Sequence, residues 1–323
     1  MLSARFAPWH VPLFALKYAY QHVRRFPILV HFEVTTRCNA RCAFCDYWKT
    51  EPDARAGEVE RCAAAARFFN PIMITFTGGE PLLRRDLEEL VAGVARAVRL
   101  RYLTMITHGA MLSVERALSL WDAGLNQFNI SLDFPDARHD RARGIPGLAG
   151  RIFDTVDGMQ GSGIDSIRFN TVMRSDNLDE LLAIAERARA LRCGVSYSVY
   201  TTLKNGHADP RLGPEHAARV DDVVAALLAY KRAHRGVIVN SDHYLRQIPR
   251  YVRGEAMEPC RSGVRTIHVD PRGMVRRCPD FPADAHWTAF RRYRPIDCQA
   301  CYYACRGEAQ APLTLGRVRD VMA

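Results

Sequence analysis

The stretch TTRCNARCAFCDYW (residues 35–48) spaces three cysteines four and then three positions apart and sets an aromatic residue just before the last. It follows ILVHFEV (28–34), whose β-branched and aromatic residues read as a strand, so the three thiols sit in the loop leaving that strand. Five more such runs follow: IMITFT (72–77), YLTMIT (102–107), QFNISLD (127–133), SIRFNTV (166–172) and VSYSVY (195–200). Apolar residues recur around them at helical spacing, as in Leu87, Leu90, Val91, Val94 and Val98, or Val220, Val223, Val224, Leu227 and Leu228. Strands alternating with helices demand a parallel sheet, because only a helical crossover returns the chain to start a parallel neighbour. The fold class is α/β, with chemistry expected beyond the strands' C-terminal ends, whether the sheet curls into a barrel or stays open.

At 323 residues and 48% hydrophobic content, the chain is long enough to bury a full core. Ten cysteines without the apolar core and cleavage site of a signal peptide point to a reducing, cytoplasmic setting, where clustered thiols mean metal. No apolar run is long enough to predict a transmembrane helix. Lysine occurs only at 17, 49, 204 and 231, so the net charge of +10 rests on arginines spread along the chain. No basic stripe is interleaved with aromatics, and no nucleic acid partner is expected. Residues 1–27 read as an amphipathic helical segment that either packs on the main domain or makes peripheral contact with a membrane. Residues 28–235 read as the main domain. Residues 236–323, with short segments, prolines and five cysteines, read as a linker and a small unit held by metal.

A structural zinc site wants four ligands, and no fourth cysteine or histidine lies near the first three in sequence. Three thiolates can instead hold three irons of a 4Fe–4S cubane and leave the fourth open to a small molecule. CNARCAFC, with Phe44 as the aromatic, resembles the CxxxCxΦC signature of the radical S-adenosylmethionine (radical SAM) enzymes, which follows the first strand of a partial (βα)6 barrel. The resemblance implies that Cys38, Cys42 and Cys45 ligate the cluster and that SAM chelates the open iron through its amine and carboxylate. It further implies reductive cleavage of SAM to methionine and a 5′-deoxyadenosyl radical that takes a hydrogen atom from substrate.

TGGEP (77–81) ends the second strand; its glycines permit close backbone approach and Glu80 supplies an acceptor. In the family this segment receives the SAM amino group, which implies Gly78, Gly79, Glu80 and Pro81 at the cofactor. Alternation along ISLD puts Ser131 and Asp133 on one side of the fourth strand, where the family hydrogen-bonds the SAM ribose. Asn170 resembles a further SAM contact, and Thr107 with Gly109 resembles the family's T-N-G, with His108 in place of Asn. HDRARGIPG (139–147) resembles the HDxxRGxxG of members that carry an extra cluster domain, implying Arg143 at the SAM carboxylate or in a plain surface ion pair. Asn177 fits the same subgroup and equally a helix N-cap.

Toward the C-terminus, twelve residues separate Cys260 from Gly273 and four separate Gly273 from Cys278; CQACYYAC then supplies Cys298, Cys301 and Cys305. The pattern alone suits a zinc ribbon or an iron–sulfur site. With the first motif it resembles the SPASM and twitch extensions of radical SAM enzymes. That resemblance implies one auxiliary 4Fe–4S cluster on Cys260, Cys278, Cys298 and Cys301, with Cys305 replacing one of them or free. Arg261, Arg265, Arg276 and Arg277 are expected to surround it and raise its potential. Cys62 and Cys193 read as core residues, and histidines 207, 234, 243, 268 and 286 as surface or satisfied core groups.

The expected function is radical SAM chemistry on a small metabolite, ahead of a ribosomal peptide or a lipid. A flavodoxin or ferredoxin would supply electrons and the auxiliary cluster would relay one. Residues 201–216 line the mouth of the site or merely link elements. The reading from another class is a non-catalytic zinc-binding scaffold.

Overall fold

The computed structural model describes residues 9–50 and 58–312. Six parallel strands, β1 Leu29–Thr35, β2 Met73–Gly78, β3 Tyr102–Thr107, β4 Gln127–Ser131, β5 Ile167–Met173 and β6 Gly194–Val199, lie side by side in chain order. Helices cross between them: α1 His10–Arg24 precedes the sheet, then come α2 Val59–Phe69, α3 Leu87–Ala97, α4 Val114–Asp122, α5 Ala137–Arg143, α6 Leu148–Gly161, α7 Leu181–Ala190 and α8 Ala217–Ala233. α9 Asp242–Val252 and α10 Ala304–Gln310 follow. The sheet then grows on its other edge. β7 Thr266–Val269 pairs in parallel with β1, and β8 Met274–Arg276 and β9 Ala285–His286 continue antiparallel. The nine strands end at β6 and β9 without closing, so the α/β fold is a partial barrel and its C-terminal cysteine segment is stitched to β1.

The two faces of this sheet differ. Phe32, Ile74, Phe76, Leu103, Met105, Phe128, Phe169 and Val195 are buried on the face that the helices cover. Register partners point the same way, so the opposite face carries His268, His31, Thr75, Thr104 and Gln127 in one row, with Glu33 beside Thr77 and Ser131 beside Asn170 and Ser196. Strands buried on both faces normally read as apolar runs. A polar inner face is suited to a polar ligand.

Candidate active site

The cysteine loop is held by backbone on both sides. Arg41 N–H donates to the Arg143 carbonyl at 2.9 Å, while Gly79 and Glu80 N–H donate to the Thr35 and Arg37 carbonyls, each at 2.8 Å. A Cβ on Gly78 would stand 2.3 Å from the Thr35 oxygen and one on Gly79 2.1 Å from that of Arg37. These glycines therefore let the second loop dock on the first. Asn205 Nδ2 and the His207 ring reach the Ala43 carbonyl at 3.3 and 2.9 Å, so the segment after β6 clasps the same loop.

Cys38, Cys42 and Cys45 gather with Ala40, Phe44 and Tyr200. Burial pushes the Cys38 thiol up to about 11, with the neighbouring thiols adding to the rise. Burial also raises Cys42, against the pull of Arg143, whose Nη1 lies 3.8 Å from the sulfur. Crowded soft donors of this kind favour the thiolate only beside a metal, which is the donor set an iron–sulfur cluster takes. Among the described residues no three His, Cys, Asp or Glu side chains surround a single point as one ion would require.

Glu80 is fully buried and its carboxylate is spoken for. Thr107 Oγ1 donates at 2.7 Å and the Leu82 N–H at 3.1 Å to one oxygen, and the His108 N–H donates at 2.9 Å to the other. The Ala110 N–H donates to His108 Nδ1, so the ring's proton is on Nε2, which lies 2.8 Å from Asn39 Oδ1 and 3.1 Å from Glu80 Oε2. Burial lowers the His108 pKa, partly opposed by Glu80, and keeps this bridge neutral at the ring. Thus Glu80 ties the ends of β2 and β3 to the cysteine loop through Thr107 and His108. Pro81 opens the short 3-10 turn that follows it.

The segment after β4 forms a second brace. β4 ends at Ser131, so strand alternation no longer governs Asp133, which is fully buried. Its carboxylate accepts from Arg143 Nη2 at 2.6 Å and from the Val172 N–H at 2.9 Å. Burial alone would raise its pKa; Arg143, His139, Arg174 and the Val172 N–H more than offset that and hold it below the usual carboxylate range. Arg143 thus makes a buried ion pair, and it and Arg174 stack on Phe44 with 5.1 and 4.7 Å to the ring centroid. His139 Nδ1 accepts from the Asp133 N–H, and Asp140 accepts from the Gly147 and Ala149 N–H groups at the start of α6. Asn177 makes no side-chain cap; it donates to the Asp133 and Val172 carbonyls and accepts from the Arg174 N–H. Ser131 and Asn170 stand half-buried on the polar face, next to each other in register.

Of the C-terminal thiols, Cys305 lies within electrostatic reach of Cys301, Cys260 and Cys278, and Cys301 within that of Cys260 and Cys278. Burial pushes Cys278 up to about 11 and Cys301 up to about 12. Cys298 lies toward Tyr251. The cation at these thiols is Arg306, missed in the sequence, which is 1% exposed and donates to the Cys301 and Glu258 carbonyls. Three of the four arginines expected there turn elsewhere: Arg265 to Tyr18, Arg276 to Glu33 and Asp270, Arg277 to the Phe281 and Tyr293 rings. Cys62 and Cys193 are core residues.

Between the two cysteine groups opens a cleft of about 430 Å³. Thr36, Asp46 and Tyr47 line it from the first cysteine loop, Leu203 and Lys204 from the segment after β6, and Pro279–Ala283 from the loop beyond Cys278, with Glu33 and Arg276 also in its lining. Glu33 is 3% exposed, yet among the described residues its Oε1 accepts no hydrogen bond, with His268 Nδ1 3.9 Å away; Asp280 Oδ2, Arg276 Nε and both His268 nitrogens are likewise buried without a hydrogen bond. Unpaired buried polar atoms are costly and mark where a ligand or water belongs. His268 is therefore no satisfied core group. It stacks on His31 at 4.4 Å, and burial lowers both rings, His31 to about 4. Unfolding lets them titrate near 6.5, so their neutral burial contributes stability above pH 6.5 that is lost as pH falls toward 4. In the metal-free protein each should add a slope of up to about 1.4 kcal/mol per pH unit in that window. Urea unfolding from pH 7 to 5 should show it, and a His31→Gln, His268→Gln variant should flatten it; an unchanged slope would place the pH dependence elsewhere.

Fold and loop chemistry define an α/β partial barrel with a three-cysteine loop after β1. Residues 32–188 match the model of the radical SAM superfamily, and this barrel is a radical SAM domain. Its cofactors are a 4Fe–4S cluster and SAM. Among curated proteins, a GTP 3′,8-cyclase of Marinobacter nauticus is 37% identical over 174 residues, 52% of either chain. GTP 3′,8-cyclase 1 of Pseudomonas aeruginosa is 31% identical over 210 residues, 63% of this chain and 62% of that protein. The chain thus spans about half to three fifths of the length of these relatives. Among solved structures, Streptococcus suis SuiB bound to S-adenosylmethionine superposes with a TM-score of 0.66 at 15% identity, over 86% of this chain and 69% of SuiB. The protein anSMEcpe with bound AdoMet and a peptide gives 0.62 at 15%, over 81% of this chain and 77% of that one. No helix of the described residues is long and apolar enough to cross a membrane.

Proposed function

We propose that this chain is a radical SAM enzyme that acts on a small polar metabolite held between the first cysteine loop and a C-terminal iron–sulfur unit of residues 236–323. The observation that carries the reading is the cleft, which touches both cysteine loops and is faced by unpaired buried polar atoms of Glu33, Arg276 and Asp280. Cys38, Cys42 and Cys45 would hold the catalytic cluster, and Cys260, Cys278, Cys301 and Cys305 an auxiliary one that relays an electron. When bound, the catalytic cluster and SAM supply a 5′-deoxyadenosyl radical that removes a hydrogen atom from substrate.

The chain's own residues prepare that step. Gly78 and Gly79 seat the second loop on the first, and Glu80 and the Asp133–Arg143 pair lock both around the thiols. Ser131 and Asn170 offer side chains to SAM from the polar face. Leu203, Pro279, Phe281 and Pro282 edge the cleft with apolar surface, which limits water near a radical. Glu33 and Asp280 accept from substrate donors, and Lys204 and Arg276 receive an anionic group. With the acids Glu33, Asp46 and Asp280 against two cations, the lining opposes a triphosphate. The GTP named for the relatives is therefore the substrate to assay first and, on this charge balance, to lose. The reductant is a flavodoxin- or ferredoxin-like protein, in a reducing compartment that keeps the thiols free.

The test is anaerobic reconstitution with iron and sulfide, followed by dithionite and SAM and measurement of 5′-deoxyadenosine, with and without GTP. The protein should release the nucleoside, and a Cys38→Ala, Cys42→Ala, Cys45→Ala variant should release none. A colourless, zinc-loaded protein without SAM affinity would return the scaffold reading.

A further inference from the structure

Helix α1 is amphipathic in the reverse of the usual sense. Its two buried side chains, Lys17 and Gln21, are polar. Lys17 Nζ donates to the Arg99 and Leu100 carbonyls at 2.8 and 2.9 Å, and Gln21 Nε2 to those of Phe69 and Asn70 at 2.8 and 2.6 Å. Val11, Phe14 and Tyr18 are half-buried, and five large apolar side chains face outward: Trp9 at its N-cap, Leu13, Leu16, Tyr20 and Val23 are 68, 41, 68, 53 and 81% exposed. Spaced by four and three in turn, they fall within an arc of roughly 80° at 100° per residue. They are half of the large apolar side chains that the described residues expose, gathered on one line. Scattered exposed hydrophobics need no explanation, but a contiguous stripe does.

Charge decides what covers the stripe. α1 and its C-cap carry no acid; Lys17 is turned into the protein, Arg24 lies over the Tyr20 ring of the stripe, Arg25 follows it, and the first acidic residue in the sequence is Glu33. A second copy pairing through this stripe would set like charges beside each other, with no glutamate or aspartate on the helix to answer them. An anionic bilayer supplies the missing charge, and Trp9 and Tyr20 are the side chains that settle at a water–lipid boundary. We propose that α1 is a peripheral foot that binds anionic membrane surfaces.

The anchoring geometry adds a consequence. The carbonyls that hold Lys17 and Gln21 belong to the segments entering β3 and β2, the ends of those strands opposite the cysteine loop. A bilayer beneath α1 leaves the cleft open to water on the far side. The foot therefore places the protein at a membrane without feeding lipid into its cleft, which removes the motive for a lipid substrate.

The cluster-reconstituted full chain should float with vesicles of phosphatidylcholine containing about one third phosphatidylglycerol and not with phosphatidylcholine alone. A Leu16→Glu, Val23→Glu variant, altered only at exposed positions, should lose binding at least about tenfold while its thermal unfolding and 5′-deoxyadenosine release stay unchanged. Failure to float with the anionic vesicles, or equal flotation of the variant, overturns the proposal. A dimer on light scattering that the same two substitutions dissolve would also overturn it and assign the stripe to a second copy.

Discussion

Glu80→Ala is expected to destabilise the metal-free protein by about 3–5 kcal/mol and to abolish retention of the catalytic cluster. The magnitude follows from what the carboxylate holds. Thr107, the backbone of His108 and the backbone of Leu82 all donate to it in a fully buried place, and alanine strands every one of those donors. His108 also loses one of the two acceptors near its Nε2, which loosens its hold on Asn39 in the cysteine loop. Glu80→Gln keeps two acceptor positions on one oxygen but turns an amide N–H₂ toward donors, so it should fall between wild type and alanine. Urea unfolding of the apo protein and iron content after reconstitution measure the two effects. A loss below about 1 kcal/mol with full iron content would show that Glu80 braces nothing and is kept for the cofactor alone.

The same residue shows where reading the sequence stops. TGGEP is legible as a site loop, but its glycines and its acid could be assigned only to a ligand, because nothing in the spacing says that Thr35 and Arg37 press on the glycines or that Thr107 and His108 fill the carboxylate. Asp133 is the parallel case: alternation carries it to the face of Ser131 only while the strand continues, and β4 ends two residues earlier. The six strands themselves were plain from their β-branched runs. α6 was not, since Gly150, Gly158 and Gly161 dilute the pattern of Ile152, Val156 and Met159; a Cβ on Gly158 would stand 2.7 Å from Val114, so that glycine serves close packing of α6 on α4. α9 hid behind Pro249. β7, four residues in a cysteine-rich segment, gives no periodicity to read, and with it went the row that sets His268 beside His31.

Cys305→Ser should cut iron from about eight atoms per reconstituted chain to about four, while Cys298→Ser should keep about eight. Spacing favours the opposite assignment, because Cys298 and Cys301 make a C-x-x-C pair and Cys305 trails behind. The fold reverses that preference. The chain runs through Tyr302 and Tyr303 into α10, whose second residue is Cys305, and this brings Cys305 within electrostatic reach of Cys301, Cys260 and Cys278. Tyr302 is fully buried and stacked on Tyr244 at 5.0 Å, so the turn into α10 is fixed by packing. Cys298 precedes that anchor in the chain. A serine at 305 removes one soft donor from a set of four, two of them buried and two half-buried, and hydroxyl is a poor replacement for thiolate at iron. Iron and sulfide analysis with the spectrum of the reduced protein separates the cases, since the catalytic cluster on Cys38, Cys42 and Cys45 should persist in both variants. Equal loss in Cys298→Ser, or full retention in Cys305→Ser, would hand the fourth corner back to Cys298 and make the packing of Tyr302 irrelevant to it.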